Sequence, residues 1–239
     1  MLGTLFGIGV GPGDPELLTL KAARVLGRVE HIFAAASTKN DYSLARDIVS
    51  QYIRPDIPVD YLAFPMTFDR DRMENAWQAN CETVIEVLGR GKDVAFLTLG
   101  DPLTFSTYIY LVRKIRSRLP EAGIDTIPGI TSFQAAAACA NVPLAEGEES
   151  FTVISGAKGG ERLKEVIAVS DNVVLLKTYK QLPRILAQIE ELGLQKSCFF
   201  VSRCGLTGQV VEHDFRKMSA LSTPNYLSLM IIKKRGLES

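Results

Sequence analysis

Residues 7–20 read GIGVGPGDPELLTL, with glycines at 7, 9, 11 and 13, a Pro-Gly-Asp-Pro cluster, and then an apolar run. The stretch could be a loop that cradles a phosphate, as a nucleotide-binding enzyme needs. A dinucleotide fingerprint requires G-x-G-x-x-G between a strand and a helix, the last glycine letting the helix pack on the strand. Counted from Gly7, the third glycine position is Pro12; from Gly9 it is Asp14; from Gly11 it is Glu16. Every register fails, and no G-K-[ST] follows to make a P-loop. Residues 15–26 carry Leu18, Ala22, Val25 and Leu26 at helical spacing. Asp14 is then a preferred N-cap, Pro15 suits the first helical position, and Glu16 falls in the first turn. A phosphate there would meet like charge. Two readings stay open: a tight turn without a ligand, or a loop built for close backbone approach by something neutral or cationic.

Working outward, the first half alternates strands and helices. Strands are predicted at 4–10, 31–37, 59–64, 93–100 and 124–130, with helices at 15–26, 41–53, 69–90 and 104–119. Such alternation argues for a parallel sheet covered by helices. The second half differs. Strands are predicted at 150–157, 171–179, 196–204, 208–215 and 225–234, with only two clear helices, 161–170 and 181–193, between them. SRCGLTGQVVEH has glycines between two apolar runs and reads as a hairpin, which implies a mixed sheet. The fold class is therefore α/β in two domains, residues 1–130 with the glycine-rich loop and residues 131–239 with the mixed sheet.

Two further stretches resemble the first in kind. LTLGDPLTFST (97–107) puts Gly-Asp-Pro at the end of a buried strand, before a hydroxyl-rich helix start. IPGITSFQAAAACA (127–140) has a strand end, a Pro-Gly turn, a Thr-Ser pair and then small residues. Ligands in open α/β sheets bind beyond the carboxyl ends of strands. Three such ends with Gly/Pro turns converging on one edge favour a site.

The 27 Lys+Arg balance 27 Asp+Glu, so nothing advertises a nucleic-acid surface. The 46% hydrophobic residues suit a globular core, yet no apolar run reaches the length of a membrane span. Cys81, Cys139, Cys198 and Cys204 show no C-x-x-C spacing, and only His31 and His213 are present. No metal site is expected, and the thiols read as reduced and intracellular. The N-terminus lacks a basic region before its apolar residues and reads as a first strand, not a signal peptide.

GIGVGPGDPELLTLKAARVL, LTLGDP and IPGITSFQAA together resemble the three motifs of the tetrapyrrole methylase family, the class III methyltransferases that use S-adenosylmethionine (SAM). The likeness spans essentially the whole chain. Within the family it is to the branch that methylates C20 of precorrin-2 or cobalt-factor II in cobalamin biosynthesis, carried by GVGPGDPELLTLKA, by GDPLTFSTYIYL and by the insertion at 65–80. Another precorrin methyltransferase or a diphthine synthase is the alternative. Uroporphyrinogen III methyltransferases have an arginine where this chain has Thr107, which counts against that substrate.

The resemblance implies an active-site cleft between the two domains and a cytoplasmic homodimer with a small-molecule tetrapyrrole substrate. It implies SAM contacts at Pro12, Leu99, Gly100, Asp101, Thr104, Thr131 and Ser132, with Lys177, Cys204 and Asn225 from the second domain. Lys177 is a departure, since several relatives carry an apolar residue near it. Asp101 is expected to hydrogen-bond a ribose hydroxyl or the ammonium, or to serve as a helix N-cap. No general base is assigned; Tyr108, Tyr110, Asp101 and Glu82 are candidates. Arg70, Arg72, Arg113 and Lys114 are candidates for clamping substrate carboxylates.

Overall fold

The computed structural model describes residues 1–36, 43–65, 67, 69–221 and 225–237. Its contacts divide the chain into two units, Met1–Thr131 and Ser132–Ser239.

In the first unit, strands β1 (Thr4–Gly9), β2 (His31–Ala36), β3 (Val59–Ala63), β4 (Val94–Thr98) and β5 (Gly123–Ile127) form one sheet in the order β3-β2-β4-β1-β5. All neighbours are parallel. Parallel pairing needs crossover connections, and the intervening helices supply most of them. Helices α1 (Leu20–Leu26) and α2 (Leu44–Ile48) cover one face, packing Ala22, Leu26 and Ile48 on Phe6, Ile8 and Val10. Helices α3 (Arg70–Gly89) and α4 (Tyr108–Arg118) cover the other, packing Val84, Leu88, Leu111 and Ile115 on Leu5, Phe33 and Phe96. Strand side chains alternate between faces. Phe6 and Ile8 take one face of β1, so Gly7 and Gly9 lie with Leu5 on the other.

Three predicted elements are corrected. The helix predicted over 15–26 is a 3-10 turn, Pro15–Leu17, followed by α1. Leu18 is extended (φ −70°, ψ 134°) and breaks the two apart. Asp14 therefore caps the turn, its Oδ1 accepting the Glu16 N–H at 2.9 Å. α1 is capped by Thr19, whose hydroxyl accepts the Ala22 N–H at 3.2 Å. Helix α4 starts at Tyr108 and not at 104, because Phe105 holds a left-handed φ of 53°. Of the helix predicted over 41–53, Leu44–Ile48 is α-helical. Residues 41 and 42 of that segment, Ser37 of the second predicted strand, and Met66 and Phe68 of the 65–80 insertion lie outside the described residues.

The second unit holds β6 (Phe151–Ser155), β7 (Asn172–Leu176), β8 (Cys198–Ser202), β9 (Val210–Glu212) and β10 (Ser228–Lys233) in the order β6-β7-β10-β8-β9. β6 and β7 are parallel and the other pairs antiparallel, so the sheet is mixed. The predicted hairpin is the β8–β9 pair, with Val201 opposite Val211. Helices α6 (Leu163–Val169), α7 (Leu182–Glu191) and α8 (Phe215–Ser219) pack Val166, Ile185, Ile189 and Met218 on Leu175, Phe200 and Met230. α5 (Ser132–Ala140) opens the unit and touches β10. Helix α8 escaped the sequence reading because it is one short turn and a half, capped by Asp214 on the Arg216 N–H.

Lys233 at the end of β10 is buried, with its Nζ donating to the Pro143 carbonyl at 3.1 Å and to Glu146 at 3.4 Å, and lying 3.7 Å from Glu149. The Asn172 amide donates to Glu149 at 2.9 Å and holds that carboxyl below the usual carboxylate range, helped by the Glu146 N–H and Lys233. Backbone and hydroxyl hydrogen bonds from Ser150 do the same for Asp171. A carboxyl lowered in the folded state binds its proton more weakly there than when unfolded. Its contribution is whole above the unfolded value and is lost as pH falls through the folded one. Unfolding midpoints followed across pH should therefore hold near neutrality and drop below the ordinary carboxylate range. Glu149→Gln should lower the neutral midpoint and shrink that acid-induced drop; an unchanged drop would refute the assignment.

Candidate functional site

The edge at the carboxyl ends of β1, β4 and β5 is where the three Gly/Pro stretches arrive. In this strand order the chain leaves β1 toward β2 and leaves β4 toward β5, in opposite directions and on opposite faces. The crevice beyond β1 and β4 is thus the topological switch point, the usual ligand position in open parallel sheets.

The three loops are locked together by backbone. Gly11 and Gly100 form a two-bond bridge, with Gly100 N–H donating to Gly11 at 2.8 Å and Gly11 N–H to Gly100 at 3.3 Å. A Cβ on Gly9 would stand 2.6 Å from the Gly129 nitrogen and 2.7 Å from the Gly100 carbonyl oxygen. A Cβ on Gly129 would overlap that same oxygen. A side chain at either position is therefore excluded.

This settles the spacing of the opening motif. Gly7 and Gly9 are strand residues on one face, not a phosphate loop. What approaches their backbone is the protein itself: the Tyr108 ring lies against Gly7, and the β4 and β5 loops lie against Gly9. Gly11, Pro12 and Gly13 form the turn that follows, and all three are buried.

Asp101 ties the lock. Its Oδ2 accepts the Gly129 N–H at 3.1 Å, and its Oδ1 accepts the Leu103 N–H at 2.9 Å and the Thr104 hydroxyl at 3.1 Å. The side chain joins the β4 loop to the β5 loop and shapes its own turn. It is no helix N-cap, since that position of α4 belongs to Thr107, six residues later. The Thr98 and Ser106 hydroxyls are 2.8 Å apart, and Ser106 accepts the Tyr108 N–H at 3.1 Å. Leu99, Gly100, Asp101, Thr104 and Thr131 thus share the edge with Pro12, and Ser132 opens the next helix.

In the second unit, Lys177, Cys204 and Asn225 also share one sheet edge. Lys177 follows β7 and Cys204 follows β8, and both strands flank β10. The Arg203 N–H donates to the Leu227 carbonyl at 2.8 Å, and the Leu227 N–H donates to Asn225 at 3.0 Å. Lys177 (φ 60°) and Arg203 (φ 55°) are both left-handed. Strained backbone of this kind clusters at functional sites. Gly129 and Arg203 were missed from the sequence. The Pro-Gly turn gave a signal for the first; an arginine in left-handed backbone gives none.

Of the candidate bases and carboxylate clamps, Tyr108 is corrected. Tyr108 is fully buried with its hydroxyl 2.9 Å from Thr126, and burial pushes its phenol up. It cannot reach a substrate. Glu82 accepts hydrogen bonds from Gln78 and Arg118, which lower its pKa and make it a weaker base. Lys114 is ion-paired with Glu74. Tyr110 stacks on Trp77 at 4.3 Å between ring centroids. Arg70, Arg72 and Arg113 are exposed on α3 and α4.

The residues named at the first unit's edge are glycines, a proline, leucines, hydroxyls and one carboxylate, with no lysine or arginine among them. Gly100 has a left-handed φ of 71° and open space where a Cβ would project. Such a cradle fits a nucleoside with a sulfonium, and the Asp101 carboxylate in it favours a cation over a pyrophosphate. Among the described residues no three His, Cys, Asp or Glu side chains gather as a metal site, and no helix is long and apolar enough to cross a membrane.

Comparison with known proteins agrees with this chemistry. The family model of tetrapyrrole (corrin/porphyrin) methylases matches residues 4–217. The chain is 33% identical, over 98% of both chains, to the cobalt-precorrin-2 C(20)-methyltransferase of Salmonella typhimurium. It is 31% identical to the precorrin-2 C(20)-methyltransferase of a Sinorhizobium species, over 84% of each. Its fold resembles that of a Thermus thermophilus uroporphyrin-III C-methyltransferase complexed with S-adenosylhomocysteine, with a TM-score of 0.71 at 22% identity over 97% of this chain and 92% of that one.

The loop lock yields a stability test in the absence of any ligand. Asp101→Asn keeps one acceptor oxygen and turns an NH2 toward one of the N–H donors, which should cost about 1–3 kcal/mol. Gly129→Ala should cost about 1–3 kcal/mol or more through overlap. Gly27→Ala, at φ −69° with its nearest neighbours 3.8 Å away, should be neutral or stabilise by about 0.4–1 kcal/mol. Urea unfolding checks all three, and an Asp101→Asn protein as stable as the parent would refute the tie. The chain belongs to the tetrapyrrole methylase family.

Proposed function

We propose that this chain transfers a methyl group from SAM to C20 of precorrin-2, or of its cobalt-bearing form cobalt-factor II, in cobalamin biosynthesis. One observation carries the reading: near-complete-length identity to a C20-methyltransferase of cobalt-precorrin-2 coincides with a neutral, backbone-lined edge at the switch point. SAM supplies a sulfonium methyl, and S-adenosylhomocysteine is what remains after transfer.

The task left to the protein is positioning. An electron-rich carbon and a methyl on a good leaving group need little proton chemistry, so holding them in line at near-attack distance supplies most of the acceleration. Backbone groups of Pro12, Leu99 and Gly100 cannot change rotamer, which makes the lock around Gly100 a fixed platform. Thr104 and Thr131 add hydroxyls, and Asp101 retains lone pairs beyond the three bonds it accepts, enough to take a ribose hydroxyl or the ammonium. Ser132, Lys177, Cys204 and Asn225 are proposed as further cofactor contacts. The exposed Arg70, Arg72 and Arg113 are proposed to meet substrate carboxylates. The enzyme acts as a cytoplasmic homodimer.

Anaerobic incubation with SAM and either metal-free precorrin-2, its cobalt form, or precorrin-4, followed by mass spectrometry, tests the reading. One methyl should be gained on a precorrin-2 species and none on precorrin-4. Methylation of precorrin-4 alone would replace this assignment with another branch of the family. Calorimetry should show binding of S-adenosylhomocysteine and not of NAD.

A further inference from the structure

Cys139 and Cys204 face each other within the second unit, Sγ to Sγ at 3.5 Å. Cys139 is exposed near the end of α5, whereas Cys204 is buried just past β8. The other two cysteines sit apart, Cys81 in the core of the first unit and Cys198 in that of the second. The pair is held in place: the Cys139 thiol also lies 3.6 Å from Gln209 Oε1, which accepts the Gly205 N–H at 2.7 Å. An S–S bond is about 2.0 Å long, so closing the gap needs a relative shift of roughly 1.5 Å, within reach of side-chain rotation and a small loop movement. Burial, and then the neighbouring Cys139 sulfur, push the Cys204 thiol up to about 12. Cys139 is therefore the thiol that meets an oxidant first.

We propose that Cys139 and Cys204 are a redox-sensitive dithiol, closed to an intramolecular disulfide by a small disulfide such as oxidised glutathione, and that closure weakens binding of S-adenosylhomocysteine. The second clause rests on the function proposed above. In the first step the Cys139 thiolate attacks one sulfur of the oxidant. A bond forms to Cys139, the oxidant's S–S bond breaks, and one glutathione thiolate leaves. The Cys139 sulfur, now half of a mixed disulfide, still faces Cys204. Cys204 then gives its proton to solvent and attacks the Cys139 sulfur, expelling the second glutathione. Two protein thiols lose two electrons and two protons, and one oxidised glutathione becomes two thiols. The bond ties α5 to the loop after β8 and displaces Cys204 and the neighbouring strained Arg203, the edge that also carries Lys177 and Asn225.

Full-length protein treated with oxidised glutathione, then alkylated, digested and mapped, tests the bond. The expected product is a Cys139–Cys204 linked peptide that dithiothreitol reverses. Cys204→Ser should stop at a stable glutathione adduct on Cys139, and Cys139→Ser should give no linked peptide. Calorimetry on the oxidised parent should show S-adenosylhomocysteine affinity reduced roughly three- to tenfold, the loss of about one hydrogen bond, with Cys139→Ser unaffected by the oxidant. A parent that stops at the Cys139 adduct, or links through Cys81 or Cys198, overturns the proposal, as does a mapped Cys139–Cys204 bond with unchanged affinity. If the reduced protein does not bind S-adenosylhomocysteine, the cofactor reading fails by itself, and the peptide map still decides the disulfide.

Discussion

At Gly9, Gly100 and Gly129 three backbones meet with no side chain between them. Gly9 stands where a Cβ would lie 2.6 Å from the Gly129 nitrogen, and the Gly100 carbonyl fills the space between the two. Because the gap is closed by main chain, hydrogen bonds replace side-chain packing: the Gly11–Gly100 bridge on one side, and Asp101 accepting from Gly129 on the other. The carboxyl ends of β1, β4 and β5 are thereby fixed relative to one another. A platform made of main chain has no rotamers to lose, so a ligand that binds it spends little entropy in ordering the protein. Donors come from N–H groups and hydroxyls, a suitable set for a nucleoside without phosphate.

Much of this was legible in the sequence, for physical reasons that differ by element. The runs at 94–97 and 173–176 announce themselves because both faces of each strand are covered, leaving unbroken apolar stretches flanked by the buried polar Thr98 and Asn172. Gly7 and Gly9 fall within the strand expected over 4–10, and the strand's period of two puts both on one face. The missing piece was what lies against that face, a ring from α4 and two loops from distant segments, which no local pattern encodes. Helix starts were the weakest readings. Asp14-Pro15-Glu16 has every mark of an N-terminus, and it does cap a turn, but the turn ends at Leu17 and α1 restarts under Thr19. Asp101 was read as a ligand contact or a helix cap. Its partners include an N–H from 28 residues away, a long-range tie that propensity cannot see.

The second unit has its own focus of strain. Lys177 and Arg203 end β7 and β8 in left-handed backbone, each at a cost of order 1–3 kcal/mol. Both stand on strands that flank β10, whose first residues are held by the Thr178–Ser228 hydroxyl pair and by Arg203 bonding Leu227. The opposite end of β10 is anchored by the buried Lys233 and its carboxylates. The strand is thus pinned at both ends, beside the two strained residues.

Amide hydrogen exchange with and without saturating S-adenosylhomocysteine tests most directly whether the interlocked loops are the cofactor platform. Added protection should fall on residues 9–13, 98–104 and 127–131, strongest around Gly100. Saturable binding that leaves those three segments unchanged would contradict the assignment of the site to this edge.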